Sequence, residues 1–259
     1  QQNHTVLAHS RSNYNSIAQS LGVQFFSDPD DLCEEHPDVI LLSTSIISAK
    51  EVLKSLPFCR LRRSTLFVDV LSVKEYPRNV FLQILPMEFD ILCTYPMFGP
   101  ESGRESWNGL SFMYEKVWVG NDKTRVKRVE RLLNIFEREG RRMVEMSCSE
   151  HDKLAAKSQF VMHTVGRVLE KLRLKSTSID TKGYQTLLGL VSTTAADSFD
   201  LYCGLFMCNK NAAEQIEMLE LAFDSLRNEL FGHFHGVLRQ QLFEDNRVLP
   251  APPYERNRD

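Results

Sequence analysis

Ser72 and Tyr95 carry the chemistry most directly readable in this chain of 259 residues. Each stands where a short apolar run stops. Leu66–Val70 gives way to the polar turn Ser72–Lys74, and Asp90–Thr94 gives way to Tyr95-Pro96-Met97-Phe98-Gly99-Pro100. Short continuous apolar runs mark buried parallel strands, and open α/β sheets bind ligands where such strands end. A serine hydroxyl and a phenol at neighbouring strand ends can therefore face one crevice, although both are also ordinary turn residues. Further along, Gln159 and His163 are four apart, a spacing that puts both on one helix face. An imidazole titrates near neutral pH and suits acid–base work, while a histidine inside a helix can equally be a satisfied core group.

The first residues suggest a nucleotide. Ser10-Arg11-Ser12 follows a short apolar strand. In dinucleotide-binding sheets the end of the second strand holds either an acid for the ribose hydroxyls of NAD or an arginine for the 2′-phosphate of NADP. An arginine flanked by two hydroxyls suits the phosphate, so NADP is the expected cofactor. The other reading is a solvent-facing arginine at a helix start capped by Ser12. Thr44 and Ser45, after the strand Asp38–Ser43, and Asp69, Val70 and Leu71 would line the rest of the groove. No G-x-G-x-x-G turn occurs in the chain, which opens with Gln1. The expectation is a sheet with an unfilled first-strand slot and weak dinucleotide binding, from truncation or from a naturally short form.

These groups need elements to hold them. Strands are expected at His4–Ala8, Val23–Phe26, Asp38–Ser43, Leu66–Val70, Asp90–Thr94, Phe112–Val119 and Arg142–Met146. Helices are expected at Asn13–Leu21, Pro29–Glu35, Ile46–Leu56 and Lys123–Gly140. Such alternation implies a mostly parallel, doubly wound sheet. After about residue 148 the pattern changes to long helices, at Glu150–Lys171, Tyr184–Cys208 and Ala212–Phe231, with Asp197 inside the second. The fold class is thus α/β plus all-α: a Rossmann-like sheet over 1–148, a helical domain over 149–243 and a disordered tail over 244–259.

Composition narrows the partners. A net charge of -3 gives no basic excess for nucleic acid, and the Lys123–Arg131 run reads as the solvated face of a helix. No apolar run reaches the roughly 18–20 residues that span a bilayer. Six scattered cysteines without a CxxC pair argue against a disulfide framework or a metal site.

DVLSVKE at 69–75 and CT-x-PMFGPESG at 93–103 together resemble the plant arogenate and prephenate dehydrogenases of tyrosine biosynthesis. So do MSCSEHDKLAAKSQFVMHTVGR at 146–167, STSIDTKGYQTLLGLV at 176–191 and DSFDLYCGLFMCN at 197–209. The resemblance implies oxidative decarboxylation of a cyclohexadienol with a nicotinamide cofactor. It also implies a homodimer made by intertwined helical domains, and a plastid or alternatively a cytosolic location. Family members place their general base, a histidine, where this chain has Tyr95, so an impaired enzyme is expected, with His163 a stand-in. By the same resemblance Ser72 contacts the ring hydroxyl or the nicotinamide amide, and Gln159, Thr181 and Lys182 belong to the substrate site. Asp197 would pair with the ammonium of arogenate, or of tyrosine as feedback inhibitor, which prephenate lacks. Prephenate dehydrogenation and a non-catalytic binder of an aromatic amino acid are the alternatives.

Overall fold

The structure, a computed structural model, describes residues 4–99, 103, 104 and 106–244. Pro100 of the turn after Tyr95 and the expected tail from residue 245 onward lie outside them.

In chain order the elements are β1 (Leu7–His9), α1 (Asn15–Ser20), β2 (Gln24–Phe26), α2 (Pro29–Glu34), β3 (Val39–Leu42) and α3 (Ala49–Lys54). They continue with β4 (Leu66–Asp69), α4 (Glu75–Ile84), β5 (Asp90–Pro96), β6 (Ser111–Trp118), α5 (Lys123–Arg138) and β7 (Arg142–Glu145). The helices that follow are α6 (Cys148–Ala155), α7 (Val161–Lys171), α8 (Lys182–Ala196), α9 (Phe199–Met207) and α10 (Ala212–Glu244). The chain divides after Ala213 into two compact units.

Five strands form one sheet in the order β3-β4-β5-β6-β7, parallel except for the β5–β6 pair. Strands β1 and β2 pair only with each other, in a separate parallel ribbon. In the doubly wound order the expected first-strand slot falls between β1 and β3, and these two strands do not pair with each other. β4 sits between two neighbours and all four of its residues are buried. Alternation sends Leu66 and Val68 to a small core with Leu92 and Val129 of α5. Phe67 goes to the other face, into the main core, where its ring meets those of Phe58, Phe81 and Phe89 edge-on or tilted.

That main core also takes in Cys148 of α6, Phe160 and Leu205 of α9. Helices α6 and α9 and the turn ending at Phe160 therefore share a core with the sheet. The basic run of α5 is less solvated than expected. Arg125 reaches buried Asp90 at 3.4 Å and Arg128 bonds the Ser64 carbonyl, so both tie α5 to the sheet.

Two of the expected long helices are interrupted. Ala156–Phe160, between α6 and α7, forms a π turn, a device often found at functional sites. Tyr184–Cys208 is two helices rather than one. Asp197 has extended backbone, φ −71° and ψ 141°, and the Ser198 hydroxyl accepts the Leu201 amide at 3.1 Å as the cap of a new helix. Apolar spacing runs straight across this junction, so periodicity hid it; Asp197 lies in a link, not inside a helix. The central strand β5 extends beyond Thr94 through Tyr95 and Pro96, because β6 pairs with both.

Helix α10 carries an exposed apolar stripe with a groove of about 410 Å³ lined by Phe223, Leu226, Leu230, Phe231 and Phe234. Among the described residues no helix is long and apolar enough to cross a membrane.

Candidate active site

The ends of β4 and β5 converge on one buried charge pair. Lys74, wholly buried, gives its ammonium to the Asp69 carboxylate and to the Thr94 carbonyl. The Thr94 hydroxyl in turn donates to the Asp69 carbonyl at 2.6 Å. Burial pushes the Asp69 carboxyl up, and Lys74 opposes that shift. Asp69 is therefore a structural partner of Lys74 and does not line the groove, a correction to its expected place beside the cofactor. Its neighbours do line it.

A cleft of about 220 Å³ lies at the carboxyl ends of β3 and β4. It is bounded by the hydroxyl residues Ser43, Thr44, Ser45, Ser72 and Ser198, with Ile46, Val70, Leu71 and Leu201 as its apolar wall. Thr44, Ser45, Val70, Leu71 and Ser72 thus fall together as the sequence suggested. The cleft is closed by α9, which can approach because residue 204 is glycine: a Cβ there would lie 2.9 Å from the Ile46 Cβ. Strand ends lined with hydroxyls fit the amide and ribose of a dinucleotide.

Tyr95 stands beside this cleft. Lys74 Nζ is 6.0 Å from the centre of its ring, and the Ser72 hydroxyl faces its phenol. Burial raises the Tyr95 pKa above its ordinary value; Ser72 and Lys74 pull it back, and Asp197 adds to the rise. Asp197, in the α8–α9 link, is therefore close enough to act on the phenol. There Asp197 Oδ2 faces His163 Nδ1 at 3.6 Å, while Arg167 donates to the Asp197 carbonyl at 2.7 Å. Burial lowers the His163 pKa, Asp197 opposes this and Arg167 reinforces it. Gln159 is half-buried in the π turn, one turn before His163.

Three further residues at this site were not singled out by sequence reasoning. Asp152 of α6 caps α4 across the fold, accepting the Lys74 amide at 2.8 Å and the Glu75 amide at 2.9 Å. His151 donates from Nδ1 to the same carboxylate at 2.9 Å and packs edge-on against the Tyr95 ring, with ring centres 5.4 Å apart. Lys74 is the third. A lysine five residues after an aspartate fits neither helical nor strand period, so no spacing rule announced that pair.

The remaining expected residues lie elsewhere. Arg11 and Ser12 are exposed in the turn after β1, with Ser10 half-buried, and none of them lines the cleft. Thr181 caps α8 by accepting the Tyr184 amide at 3.2 Å, Lys182 is exposed beside it, and neither lines the cleft. Among the described residues no His, Cys, Asp and Glu cluster could hold a metal.

Residues 1–145 match the family model described as prephenate dehydrogenase, nucleotide-binding domain, and residues 168–242 match TYRAAT1-like, C-terminal domain. The fold is shared with solved dehydrogenases. Prephenate dehydrogenase from Aquifex aeolicus, in a complex with hydroxyphenyl propionate and NAD+, superposes at TM-score 0.68 with 19% identity over 93% of this chain and 87% of that one. Synechocystis arogenate dehydrogenase superposes at TM-score 0.60 with 16% identity, over 95% and 92%. Among curated proteins, arogenate dehydrogenase 1, chloroplastic, of Arabidopsis thaliana is 65% identical over 93% of this chain. Arogenate dehydrogenase 2, chloroplastic, of the same plant is 60% identical over 93%. The chain spans 38% of the length of the first of these relatives and 67% of the second.

The fold is thus that of Rossmann-type nucleotide-binding dehydrogenases, with a C-terminal helical part. The chain belongs to the arogenate and prephenate dehydrogenase family.

Proposed function

We propose that this chain catalyses the NADP-dependent oxidative decarboxylation of arogenate to tyrosine. The observation that carries this reading is the Asp197 carboxylate, 3.6 Å from His163 Nδ1 and close to the Tyr95 phenol, near the hydroxyl-lined cleft that holds Ser72. A nicotinamide bound in the cleft would supply the hydride acceptor. Ser72 would hold the ring hydroxyl of the substrate or the nicotinamide amide. Asp197 would hold the substrate ammonium, with His163 neutral at pH 7 beside it and Gln159 one turn away. A ketone in place of the ammonium would leave that carboxylate without a counter-charge, which favours arogenate over prephenate.

Arg11 supports NADP over NAD, as the one cation between two hydroxyls at the end of β1. The apolar stripe of α10 supports a homodimer, in which Thr181 and Lys182 would serve the site. The two Arabidopsis relatives are named chloroplastic, which supports a plastid location. Tyr95 favours the second reading, a homologue that binds tyrosine without turning over arogenate.

Steady-state reduction of NADP and NAD with arogenate and with prephenate tests the assignment. Arogenate with NADP is expected to give the highest kcat/KM, and Asp197→Asn to lower it for arogenate at least tenfold while leaving prephenate unchanged. Equal use of both substrates by the native chain would sink the role of Asp197. Tyrosine binding in calorimetry with no turnover of arogenate would establish the second reading.

A further inference from the structure

Tyr95 stands where the family resemblance expects a histidine base, and it is half-buried among groups that can act on its phenol. Three groups of different chemistry meet there. The Ser72 hydroxyl faces the phenol from the cleft side. The Lys74 ammonium, wholly buried, lies 6.0 Å from the centre of the phenol ring. That ammonium is fixed by Asp69 and by the carbonyl of Thr94, the residue just before Tyr95. His151 packs edge-on against the ring, itself held by Asp152. A phenol held by a hydroxyl, with a fixed cation behind it, is a general solution for moving the proton of an alcohol while its carbon loses hydride. The cation stabilises the phenolate, and the serine orients the alcohol.

We propose that Tyr95 is the proton acceptor of this chain, working with Ser72 and Lys74 as a Ser–Tyr–Lys set in place of a histidine. The inference rests on the dehydrogenase reading above. The Tyr95 phenolate takes the proton of the substrate ring hydroxyl as hydride leaves the same carbon for the nicotinamide, so the carbon becomes a carbonyl. The ring carbon–carboxylate bond then breaks, carbon dioxide departs, and the electron pair left behind makes the ring aromatic. Tyr95 returns its proton to the product oxygen, so the cycle closes with one hydride transferred and no net proton consumed. Lys74 and Ser72 act here as positioning residues for Tyr95.

The set has a recognisable pH signature. The titratable and charged groups that face Tyr95 are Lys74 with Asp69 behind it, His151 with Asp152, and Asp197 with His163 behind it. Burial and Asp197 hold the phenol protonated at neutral pH against the pull of Ser72 and Lys74. The reactive phenolate therefore becomes more abundant as pH rises. A histidine acceptor behaves differently: His163, whose pKa is lowered by burial, is already neutral at pH 7, and its rate would level off there.

The experiment is NADP reduction with arogenate on the full chain, with NADP raised to saturation, from about pH 6 to pH 10. It is paired with ultraviolet difference titration of tyrosinate, the Tyr95→Phe chain being subtracted. Log kcat/KM is expected to climb with unit slope into the alkaline range. Tyr95→Phe should lose about 10²- to 10⁴-fold, as for removal of a general base. Tyr95→His should return the limb to near neutrality. Lys74→Met should move both the kinetic limb and the tyrosinate titration to higher pH. The double change Asp69→Asn with Lys74→Met keeps the test open if the single variant fails to fold. A native profile flat above pH 7, or Tyr95→Phe within a few-fold of native, overturns the proposal while the dehydrogenase reading stands. A tyrosinate titration that ignores the loss of Lys74 overturns the role given to the lysine. Turnover by the Tyr95→His chain alone also overturns the proposal. No turnover by either chain, with NADP bound by both, overturns the dehydrogenase reading together with it.

Discussion

The turn after β4 and the turn after β1 do the same structural job and are supported in opposite ways. Both carry the chain from a parallel strand into a helix, and both were expected to meet the cofactor. After β4, Asp69, Lys74 and Thr94 are buried and bonded to one another, and Asp152 caps the helix from 77 residues further along the chain. After β1, Arg11 and Ser12 are exposed, α1 starts without a side-chain cap, and β1 pairs with β2 alone. The contrast suits the two tasks proposed for these turns. Proton and hydride transfer, on the function proposed above, would fail when groups are misplaced by about 1 Å, which accounts for a turn held from several directions. Recognition of a phosphate by one guanidinium tolerates a mobile side chain, provided its charge is within reach.

The largest effect that separates the two turns should come from Lys74→Met. It leaves the Asp69 carboxylate buried without its counter-ion, and breaking such a pair costs about 3–5 kcal/mol. Denaturant unfolding should show this loss, and the added change Asp69→Asn should recover most of it. No recovery in the double variant would mean that Lys74 stabilises by packing rather than by charge. Next comes Gly204→Ala. The new methyl must displace α9 from Ile46, and overpacking of this kind costs about 1–3 kcal/mol. Because Ser198 and Leu201 of that segment wall the cleft, NADP affinity should fall with stability. Unchanged affinity would show that α9 does not set the cleft width. The smallest effect on stability should be that of Arg11→Ala, within about 0.5 kcal/mol for an exposed side chain. Its expected mark is instead a selective loss of affinity for NADP over NAD, read by titration of both. Equal loss for both would remove Arg11 from 2′-phosphate recognition.

The legible parts of the fold were those whose pattern is local. Leu66–Val70 and Asp90–Thr94 read as buried strands because they are short, mostly apolar runs that stop at polar turns, and their adjacency put Ser72 and Tyr95 near one another. Thr44, Ser45, Val70 and Leu71 followed from the rule that ligands sit at strand ends. The break at Asp197–Ser198 was not legible from periodicity, since apolar residues continue on both sides of it. The Asp-Ser pair ahead of an apolar run was the available sign of a new cap. The π turn over Ala156–Phe160 has no sequence signature in residues that suit an α-helix equally well. Lys74, His151 and Asp152 were hidden for a different reason. Their partners lie across the fold, and single-chain spacing carries no information about a carboxylate that caps a helix from another element. Asp69 was misplaced on the same account: at the end of a strand it looked like a ligand residue, and only the burial of Lys74 gives it another task.

The cap that Asp152 places on α4 couples two halves of the folding problem. Its two carboxylate oxygens hold the amides of Lys74 and Glu75, while the Asn209 side chain holds its backbone carbonyl at 2.8 Å. The first turn of α4 can therefore open to solvent only when α6 lifts away, and α6 is anchored in turn by the residues just after α9. Exchange of those two amides with heavy water is thus a clock for separation of the helices from the sheet. The surface that brings Ser72 and Tyr95 together persists only as long as that separation is rare.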